Sequence, residues 1–331
     1  MITTNLKARI PPFTPHPLLK GAHRQTIVGR YLSPPPDLTA TPREVRLDDG
    51  DRLVVLDTVP DGWKTSDPAA ILVHGLAGCA NAAYVVRLGR RLADAGVRVV
   101  RVNLRGAGAG SGLARRIYHA GRSDDLRAVG QWLAQEAASS PIAVVGFSLG
   151  ASLALRLGSE LSDHPLPPID CLAAANPPLD LAACARRIAE PQNRVYDWNF
   201  TRWLRTMTVR LHQRFPELGP PGIHGVRSLH EFDDHYTAPR NGFRSADHYY
   251  ESCSVAPVLG RIEIPALIVH AADDPFIPVQ PFQGLRPSPW VEIEITSHGG
   301  HLGYLSQAPY QGDRRWLEAR LAAWLLERWG R

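Results

Sequence analysis

The chain has 331 residues, of which 44% are hydrophobic and 21% are charged. This composition provides enough apolar side chains for a large folded core and excludes a charged, disordered chain. The formal net charge is +5, from 37 basic and 32 acidic residues, and the basic residues are scattered along the sequence. Because a nucleic-acid surface requires concentrated positive charge, we do not expect a nucleic-acid partner.

The four cysteines are far apart and include no CxxC pair: Cys79, Cys171, Cys184 and Cys253. We expect them to be reduced and to behave as small buried hydrophobic residues. Residues 1–10 lack the apolar stretch of a signal peptide, and no uninterrupted apolar run approaches the roughly 18 residues needed to cross a bilayer. The sequence therefore predicts a cytoplasmic protein without a transmembrane anchor.

The beginning of the chain is rich in proline. Residues 11–42 contain eight prolines, including Pro34, Pro35 and Pro36. Proline is excluded from helix interiors and central strands, so residues 1–42 are predicted to form an arm that packs on the surface of the core. After this arm, Glu44–Leu47 and Leu53–Thr58 flank the sequence Asp-Asp-Gly-Asp, which is typical of a β-hairpin turn.

Short apolar segments then alternate with helical segments. The apolar segments are Ala70–Val73, Val97–Val102, Ile142–Val145, Cys171–Ala175 and Ala266–Val269, and the helical segments include Tyr84–Ala95 and Asp124–Ala138. Helices that cover both faces of a sheet remove the alternation of polar residues from its strands. The pattern therefore predicts an α/β fold with a mostly parallel, doubly wound sheet, formed by residues 43–178 and 255–331.

The alternation stops between residues 179 and 254. This stretch is rich in aromatic residues and histidines and poor in β-branched residues, which predicts a helical insertion that forms a cap over the sheet. Near the C-terminus, apolar residues recur at helical spacing: Trp316, Leu317, Leu321, Trp324 and Leu325. We expect this helix to pack against the sheet. The alternative is contact with a membrane surface, but tryptophan at this spacing is ordinary core material.

One motif carries a specific chemical prediction. The sequence Gly146-Phe147-Ser148-Leu149-Gly150 has the form G-x-S-x-G and lies between the predicted strand Ile142–Val145 and the helical segment Ala151–Leu161. A strand, a tight turn and a helix in this order are typical of a nucleophile elbow, in which the serine hydroxyl projects above the sheet. Side chains at the two glycines would collide with the neighbouring strand and helix. We therefore predict that Ser148 is a nucleophile.

An activated serine also requires a histidine base and a carboxylate, here in the chain order Ser, Asp, His. Asp273 and Asp274 both follow the predicted strand Ala266–Val269, on a loop at its carboxyl end. We favour Asp274 because Pro278, four residues later, matches the usual Asp loop. Asp273 is the alternative. The aspartate that is not catalytic would cap the loop or form hydrogen bonds within it.

Two histidines, His298 and His301, follow the alternating strand Val291–Ile295 in a glycine-rich loop. We favour His301 because it precedes the terminal helix and follows two glycines that let its ring reach back across the sheet edge. His298 is the alternative. We predict that His301 acts first as general base and then as general acid. Asp274 would fix the tautomer of His301 and stabilise its imidazolium.

Acyl transfer also needs hydrogen-bond donors for the developing oxyanion. The sequence His74–Gly78 follows the strand Ala70–Val73, and in this type of fold that loop faces the nucleophile turn. The backbone N–H groups of Leu76 and Leu149 are the predicted donors. Cys79 lies next to the loop, but no base is evident for its thiol, so we predict a packing role.

Two other features resemble cofactor or metal sites without matching one. The glycine-rich segment Arg105–Gly112 is not a G-x-G-x-x-G loop, because Ser111 and Leu113 occupy the third glycine position. Histidines and acids are also concentrated in the predicted insertion: His224, His230, Glu231, Asp233, Asp234, His235 and His248. They match no zinc motif and are expected to form hydrogen-bonded structure. We therefore predict neither a cofactor nor a metal.

With these residues, the sequence resembles the α/β-hydrolase superfamily, and more narrowly its YheT-like branch of candidate carboxylic ester hydrolases, over about residues 12–327. The motifs that carry the resemblance besides the elbow are His16-Pro17-Leu18, His23-Arg24-Gln25-Thr26, Asn103-Leu104-Arg105-Gly106, Tyr118-His119-Ala120-Gly121, Asp124-Asp125-Leu126, Glu231-Phe232-Asp233-Asp234, Gly242-Phe243, Tyr249-Tyr250, Asp273-Asp274-Pro275-Phe276 and Gly299-Gly300-His301-Leu302-Gly303.

The resemblance implies Ser148, Asp274 and His301 as a catalytic triad and requires no cofactor. Two departures bear on substrate fit: Ala151-Ser152 stand where relatives often have Gly-Asn, and small residues follow Gly106 in place of Cys-Ser. Eukaryotic relatives carry an amino-terminal membrane anchor, which we do not expect in this protein, and some resemble phospholipases.

The sequence therefore predicts a serine hydrolase that cleaves a small-molecule carboxylic ester through an acyl-enzyme, with the insertion shaping an apolar acyl pocket. A thioesterase, amidase, lysophospholipase or acyltransferase would use the same nucleophile and oxyanion hole, so these alternatives stay open. A catalytically silent binding protein is a further alternative, but binding alone has no need of the serine, aspartate and histidine together.

Overall fold

The computed structural model describes residues 10–32, 37–166, 168–310 and 312–331, so the proline run at 34–36 of the predicted arm lies outside the described residues. The strands are β1 (Thr41–Arg46), β2 (Arg52–Thr58), β3 (Ala69–Val73), β4 (Arg98–Asn103), β5 (Ile142–Phe147), β6 (Ile169–Ala175), β7 (Ala266–Ala271), β8 (Val291–Thr296), β9 (Leu305–Tyr310) and β10 (Asp313–Arg315). The helices are α1 (Ala22–Tyr31), α2 (Ala83–Asp94), α3 (Ser123–Glu136), α4 (Leu149–Glu160), α5 (Leu181–Ala189), α6 (Arg194–Arg214), α7 (Leu229–Phe232), α8 (Ala238–Arg240), α9 (Ala246–Cys253) and α10 (Trp316–Arg328).

In the described residues, β1 to β8 form one eight-stranded sheet in the order β1-β2-β4-β3-β5-β6-β7-β8. Strands β3 to β8 are mutually parallel, and the hairpin β1-β2 adds two antiparallel strands at one edge. The predicted mostly parallel, doubly wound α/β fold is thus confirmed. Parallel strands place their carboxyl ends on one edge of the sheet, where α/β folds bind ligands.

Helices cover both faces of this sheet. Along β3, Ile71 and Val73 point into a core on one side, while Ala70 and Leu72 point into a core on the other, and all four are fully buried. Helices α3 and α4 cover the first side, and α2 and α10 cover the second. Burial on both faces explains why these strands are continuous apolar runs. Burying one large apolar side chain stabilises the folded state by roughly 2 kcal/mol.

Three elements were not predicted. Helix α1 lies within the proline-rich arm, in the stretch Ala22–Tyr31 that contains no proline. Strands β9 and β10 form a small antiparallel sheet just before α10, and Pro15 of the arm bridges to Ser306 of β9. The arm is therefore attached to the C-terminal part of the chain.

Between β6 and β7, residues 179–254 are all described and contain helices α5 to α9 and no strand. We call this stretch the cap segment. A π-helical turn over Asp233–Thr237 separates α7 from α8 within it. Across the described residues, no helix has both the length and the apolar character needed to cross a membrane.

Candidate active site

Ser148 lies at the turn between β5 and α4, at the carboxyl edge of the sheet. Its φ and ψ of 52° and −123° lie in a region that L residues rarely adopt. A Cβ atom at Gly146 would lie 2.1 Å from the carbonyl oxygen of Gly150, and one at Gly150 would lie 2.5 Å from the carbonyl oxygen of His74. The two glycines of the motif are therefore required by the close approach of three backbone segments.

Asp274 and His301 form a hydrogen-bonded pair at the same edge. The Nδ1–H of His301 donates to Oδ2 of Asp274 at 2.8 Å. The other oxygen of Asp274 accepts the backbone N–H groups of Phe276, at 2.8 Å, and of Ile277, at 3.1 Å. These bonds fix the carboxylate and leave Nε2 as the free nitrogen of the imidazole.

The carboxyl of Asp274 is fully buried, and burial by itself would raise its pKa. The charge and hydrogen bond of His301, together with the backbone N–H of Phe276, outweigh that effect, so the pKa of Asp274 lies below its usual value of 3.8. Asp274 is therefore an anion at neutral pH and can accept the Nδ1–H of His301.

Asn176 is a further site residue, and the sequence did not identify it. Its Nδ2–H₂ donates to Oδ2 of Asp274 at 2.6 Å and to the carbonyl oxygen of Gly300 at 3.3 Å. Its Oδ1 accepts the hydroxyl of the buried Tyr304 at 3.0 Å. Asn176 thus links the aspartate to the histidine loop. The available signal was its position, a polar residue directly after the buried strand β6.

Helix α1 also holds the histidine loop. Thr26 Oγ1 accepts the backbone N–H of His301 at 2.9 Å. The side chain of Gln25 donates to the carbonyl oxygen of Leu305 at 3.1 Å and accepts its N–H at 2.7 Å. A Cβ atom at Gly303 would lie 2.3 Å from the carbonyl oxygen of Gln25, so only glycine permits this contact. The motif His-Arg-Gln-Thr in the arm therefore supports the loop.

The loop after β3 presents a free backbone donor. The N–H of Gly75 donates to the Tyr84 hydroxyl at 3.1 Å, and the N–H of Ala77 donates to the Tyr118 hydroxyl at 2.9 Å. Between them, the N–H of Leu76 has no hydrogen-bond partner in the described part of the chain. Leu149 is the first residue of α4, where helix geometry leaves its N–H unpaired.

Three neighbouring ionisable residues, Asp273, His298 and His74, make structural contacts. Asp273 accepts the N–H of Gly300 at 2.8 Å and lies 3.3 Å from Nδ1 of the half-exposed His298. His74 is fully buried, with Nδ1 bonded to the carbonyl oxygen of Gly75 and Nε2 accepting the N–H of Leu104. Burial lowers the pKa of His74 to about 4, so the ring is neutral.

Ser148 and His301 line one cavity of about 840 Å³. Its walls are mostly apolar and include aromatic rings from α6 and the loop after β7: Tyr196, Phe200, Trp203 and Phe276. Leu76, Leu149 and helix α1 also contribute to the lining. In the described residues, no hydrogen bond joins the Ser148 hydroxyl to His301.

Asp233 and Asp234 make hydrogen bonds within the cap segment. The Tyr250 hydroxyl donates to Asp233 at 2.8 Å, and Asp234 accepts the N–H of Ala246 at 2.9 Å. Asp233 is buried, which raises its pKa to about 6. Outside the cap segment, the buried Arg105 bonds to Asp125 through two of its nitrogens and ties the segment after β4 to α3.

Comparison with known proteins agrees with this fold. The sequence profile of the alpha/beta hydrolase family matches residues 70–311. YheT of Escherichia coli (strain K12), named as a candidate esterase, is 32% identical over 95% of this chain and 92% of its own length. Phospholipase ABHD3 of Mus musculus is 29% identical over 72% of this chain and 58% of its own length. A Pyrococcus furiosus esterase has a similar fold, with a TM-score of 0.57 and 20% identity over 88% of this chain and 93% of that one. The chain therefore belongs to the alpha/beta hydrolase family, in its YheT-like branch.

Proposed function

We propose that the protein is a carboxylic ester hydrolase with Ser148 as nucleophile, His301 as general base and acid, and Asp274 as the carboxylate that orients His301. One observation carries the proposal. His301, hydrogen-bonded to the buried Asp274, lines the same cavity in which the elbow exposes Ser148. The names of the YheT and Pyrococcus relatives as esterases support the ester bond as the target.

In the first half-reaction, the oxygen of Ser148 attacks the ester carbonyl carbon while Nε2 of His301 accepts the hydroxyl proton. The tetrahedral intermediate then collapses, the C–O bond to the alcohol breaks, and Nε2 returns the proton to the departing alkoxide. An acyl group remains on Ser148. A water molecule, deprotonated by the same nitrogen, attacks the carbonyl carbon of that acyl group. The C–O bond to Ser148 then breaks, Nε2 returns the proton to the serine oxygen, and the carboxylic acid is released. Catalytic hydrogen bonds often become well aligned only when substrate binds, so the mechanism does not require one between Ser148 and His301 beforehand.

The oxyanion of each tetrahedral intermediate would be bound by the backbone N–H groups of Leu76 and Leu149. Both donors are unpaired, and both residues line the cavity beside Ser148. The hydroxyls of Tyr84 and Tyr118 hold the residues on either side of Leu76. Donors that are fixed before the reaction stabilise the developing charge without a cost of reorganisation.

The substrate class follows from the walls of the cavity. About 840 Å³ of space lined by aromatic and aliphatic side chains suits an apolar acyl chain, and few charged groups line it to bind a polar one. Residues 179–254 provide much of this wall through α5 and α6, and we propose that the segment acts as the cap of the acyl pocket.

The direct test is hydrolysis of p-nitrophenyl esters of graded acyl length by the purified protein. Ser148→Ala should lower kcat by several orders of magnitude, as in other triad knockouts. The chain offers matched controls: His298→Ala and Asp273→Asn should retain far more activity than His301→Ala and Asp274→Asn. Equal rates for the wild type and Ser148→Ala would refute the proposal.

Labelling with a fluorophosphonate followed by peptide mapping identifies the nucleophile without assuming a substrate. The label should lie on Ser148 and should be absent from Ser148→Ala. Labelling of another serine in folded protein would contradict the assignment. A parallel panel of acyl-CoA thioesters and lysophospholipids would separate an esterase from the enzymes that use the same groups on other acyl donors.

A further inference from the structure

Helix α1 presents two large apolar side chains, Ile27 and Tyr31, to solvent. Its buried residues are Gln25 and Gly29, which dock on the histidine loop. Ile27 and Tyr31, in contrast, are 48% and 74% exposed. A surface helix of a globular protein normally has the opposite arrangement, with the apolar face inward. Packing of the core therefore does not explain why these apolar side chains face solvent.

The first turns of α6 lie beside α1 and also expose apolar side chains. Val195 is 74% exposed and Trp198 is 57% exposed. The ring of His23 in α1 stacks on that of Tyr196 in α6 at a centroid distance of 5.6 Å, with His23 Nδ1 3.1 Å from the tyrosine hydroxyl. The two helices thus form one surface. Four exposed apolar residues of this surface also line the cavity that contains Ser148, and we call them the rim: Ile27, Tyr31, Val195 and Trp198.

Positive charge lies close to the rim. Among the exposed arginines of the two helices, four lie within four positions of a rim residue: Arg24, Arg30, Arg194 and Arg202. None of the four has an ion pair in the described residues, and α1 contains no acidic residue. The acid of α6, Asp197, instead accepts the backbone N–H of Leu229. Two of the guanidinium groups lie near rim rings, 5.7 Å from Tyr31 for Arg30 and 5.4 Å from Trp198 for Arg202.

We propose that the rim and its four arginines are a docking surface for a lipid bilayer with anionic headgroups. Tyrosine and tryptophan favour the boundary between headgroups and acyl chains, where one part of the ring is apolar and the other is hydrated. Arginine binds phosphate oxygens through paired hydrogen bonds and is attracted by the negative surface potential of such a membrane. The combination of aromatic and aliphatic side chains with unpaired cations on one face matches that environment.

Docking in this orientation would turn the mouth of the cavity towards the bilayer. An apolar ester could then pass from the membrane into the cavity without exposure to water. That consequence rests on the proposed function, whereas the docking surface rests only on exposure, charge and position. Binding can therefore be measured without turnover, and failure of one proposal is distinguishable from failure of the other.

The test is cosedimentation with vesicles, at low salt, made either of phosphatidylcholine alone or of equal parts phosphatidylcholine and phosphatidylglycerol. Wild type and Ser148→Ala should bind the anionic vesicles equally, bind the neutral ones more weakly, and dissociate as salt is added. The double variants Tyr31→Ser with Trp198→Ser, and Arg30→Gln with Arg202→Gln, should each bind about tenfold or more weakly.

Trp290→Ser is the matched control. Trp290 is 53% exposed, close to the exposure of Trp198, but it precedes β8 and so lies at the amino edge of the sheet, opposite the site. This variant should bind as the wild type does. The proposal is overturned if the wild type does not bind anionic vesicles, or if the rim variants bind as tightly as Trp290→Ser. A dimer that rim substitutions dissociate, with no vesicle binding, would overturn it in favour of a second copy of the chain.

Discussion

The backbone N–H of His301 donates to the side-chain oxygen of Thr26, a residue 275 positions earlier in the chain. This bond sets the position of the backbone that carries the proposed base, independently of the bond between its ring and Asp274. We therefore predict that Thr26→Val lowers kcat by about tenfold, because one hydrogen bond to a partly buried N–H is worth about 1.4 kcal/mol when it positions a reacting group. Thr26→Ser should restore most of the rate.

Thr206→Val is the control for Thr26→Val. Both threonines donate to the carbonyl oxygen four residues earlier in a helix, Thr26 to Ala22 and Thr206 to Arg202, but Thr206 is exposed and has no contact with the site. Steady-state kinetics with a p-nitrophenyl ester and the thermal unfolding midpoint should both be measured. A loss of kcat that is equal in the two variants would assign Thr26 a role in helix stability alone.

Asn176→Asp should shift the pH dependence of the reaction. The substitution places a second carboxylate beside Asp274, where Asn176 now donates at 2.6 Å. Two carboxyl groups this close in a buried site cannot both be ionised, so they hold one proton between them, and the protonated group can donate to the other as the amide does. Loss of that proton as pH rises leaves two adjacent anions. We therefore expect kcat/KM of the variant to fall at alkaline pH, where that of the wild type stays level. Coincident profiles would show that residue 176 and Asp274 do not share a proton.

The elements that the sequence predicted are those that local patterns specify. Apolar runs gave the parallel strands, and the Asp-Asp-Gly-Asp segment gave the hairpin β1-β2, which the structure confirms. The elbow motif predicted a tight turn because the glycines on either side of Ser148 have no room for side chains. Each of these signals lies within about ten consecutive residues, so the local sequence alone was sufficient to predict the element.

The features that were missed depend on contacts between distant segments. Helix α1 has its apolar side chains outward, so hydrophobic periodicity gave no signal of a helix docked on the histidine loop. Asn176 follows β6, and Tyr304 lies in the loop after β8. The two side chains meet only because β6 and β8 end at the same edge of the sheet. Nothing in the sequence near Asn176 specifies a partner 98 residues away in Asp274.

The pair of tyrosines around Leu76 leads to a third prediction. Tyr118→Phe removes the acceptor of the Ala77 N–H, and so loosens the loop that carries the proposed oxyanion donor. We expect kcat to fall by about tenfold with little change in KM, because the donor acts mainly on the tetrahedral intermediate. Adding Tyr84→Phe, which frees the N–H of Gly75, should lower kcat further.

Tyr236→Phe controls for loss of a buried tyrosine hydroxyl. Tyr236 bonds to His212 within the cap segment, and neither residue lines the cavity. This variant should lose stability with little change in kcat. If Tyr118→Phe instead raises KM and leaves kcat unchanged, the tyrosine contributes to substrate binding and does not position the loop.

Asp233 should make the stability of the protein depend on pH. Its pKa is about 6 in the folded protein, chiefly because the side chain is buried, and about 3.8 when unfolded. Between these values the folded state binds more protons than the unfolded state, so the contribution of Asp233 falls as pH rises and is constant above about pH 6. The full difference is at most about 3 kcal/mol.

Asp233→Asn tests this dependence. The asparagine side chain keeps an oxygen that can accept the Tyr250 hydroxyl, but it cannot ionise. In urea denaturation, the free energy of unfolding of the variant minus that of the wild type should therefore increase from about pH 4 to about pH 6 and then level off. A difference that stays flat over this range would show that Asp233 is ionised in the folded protein at acid pH.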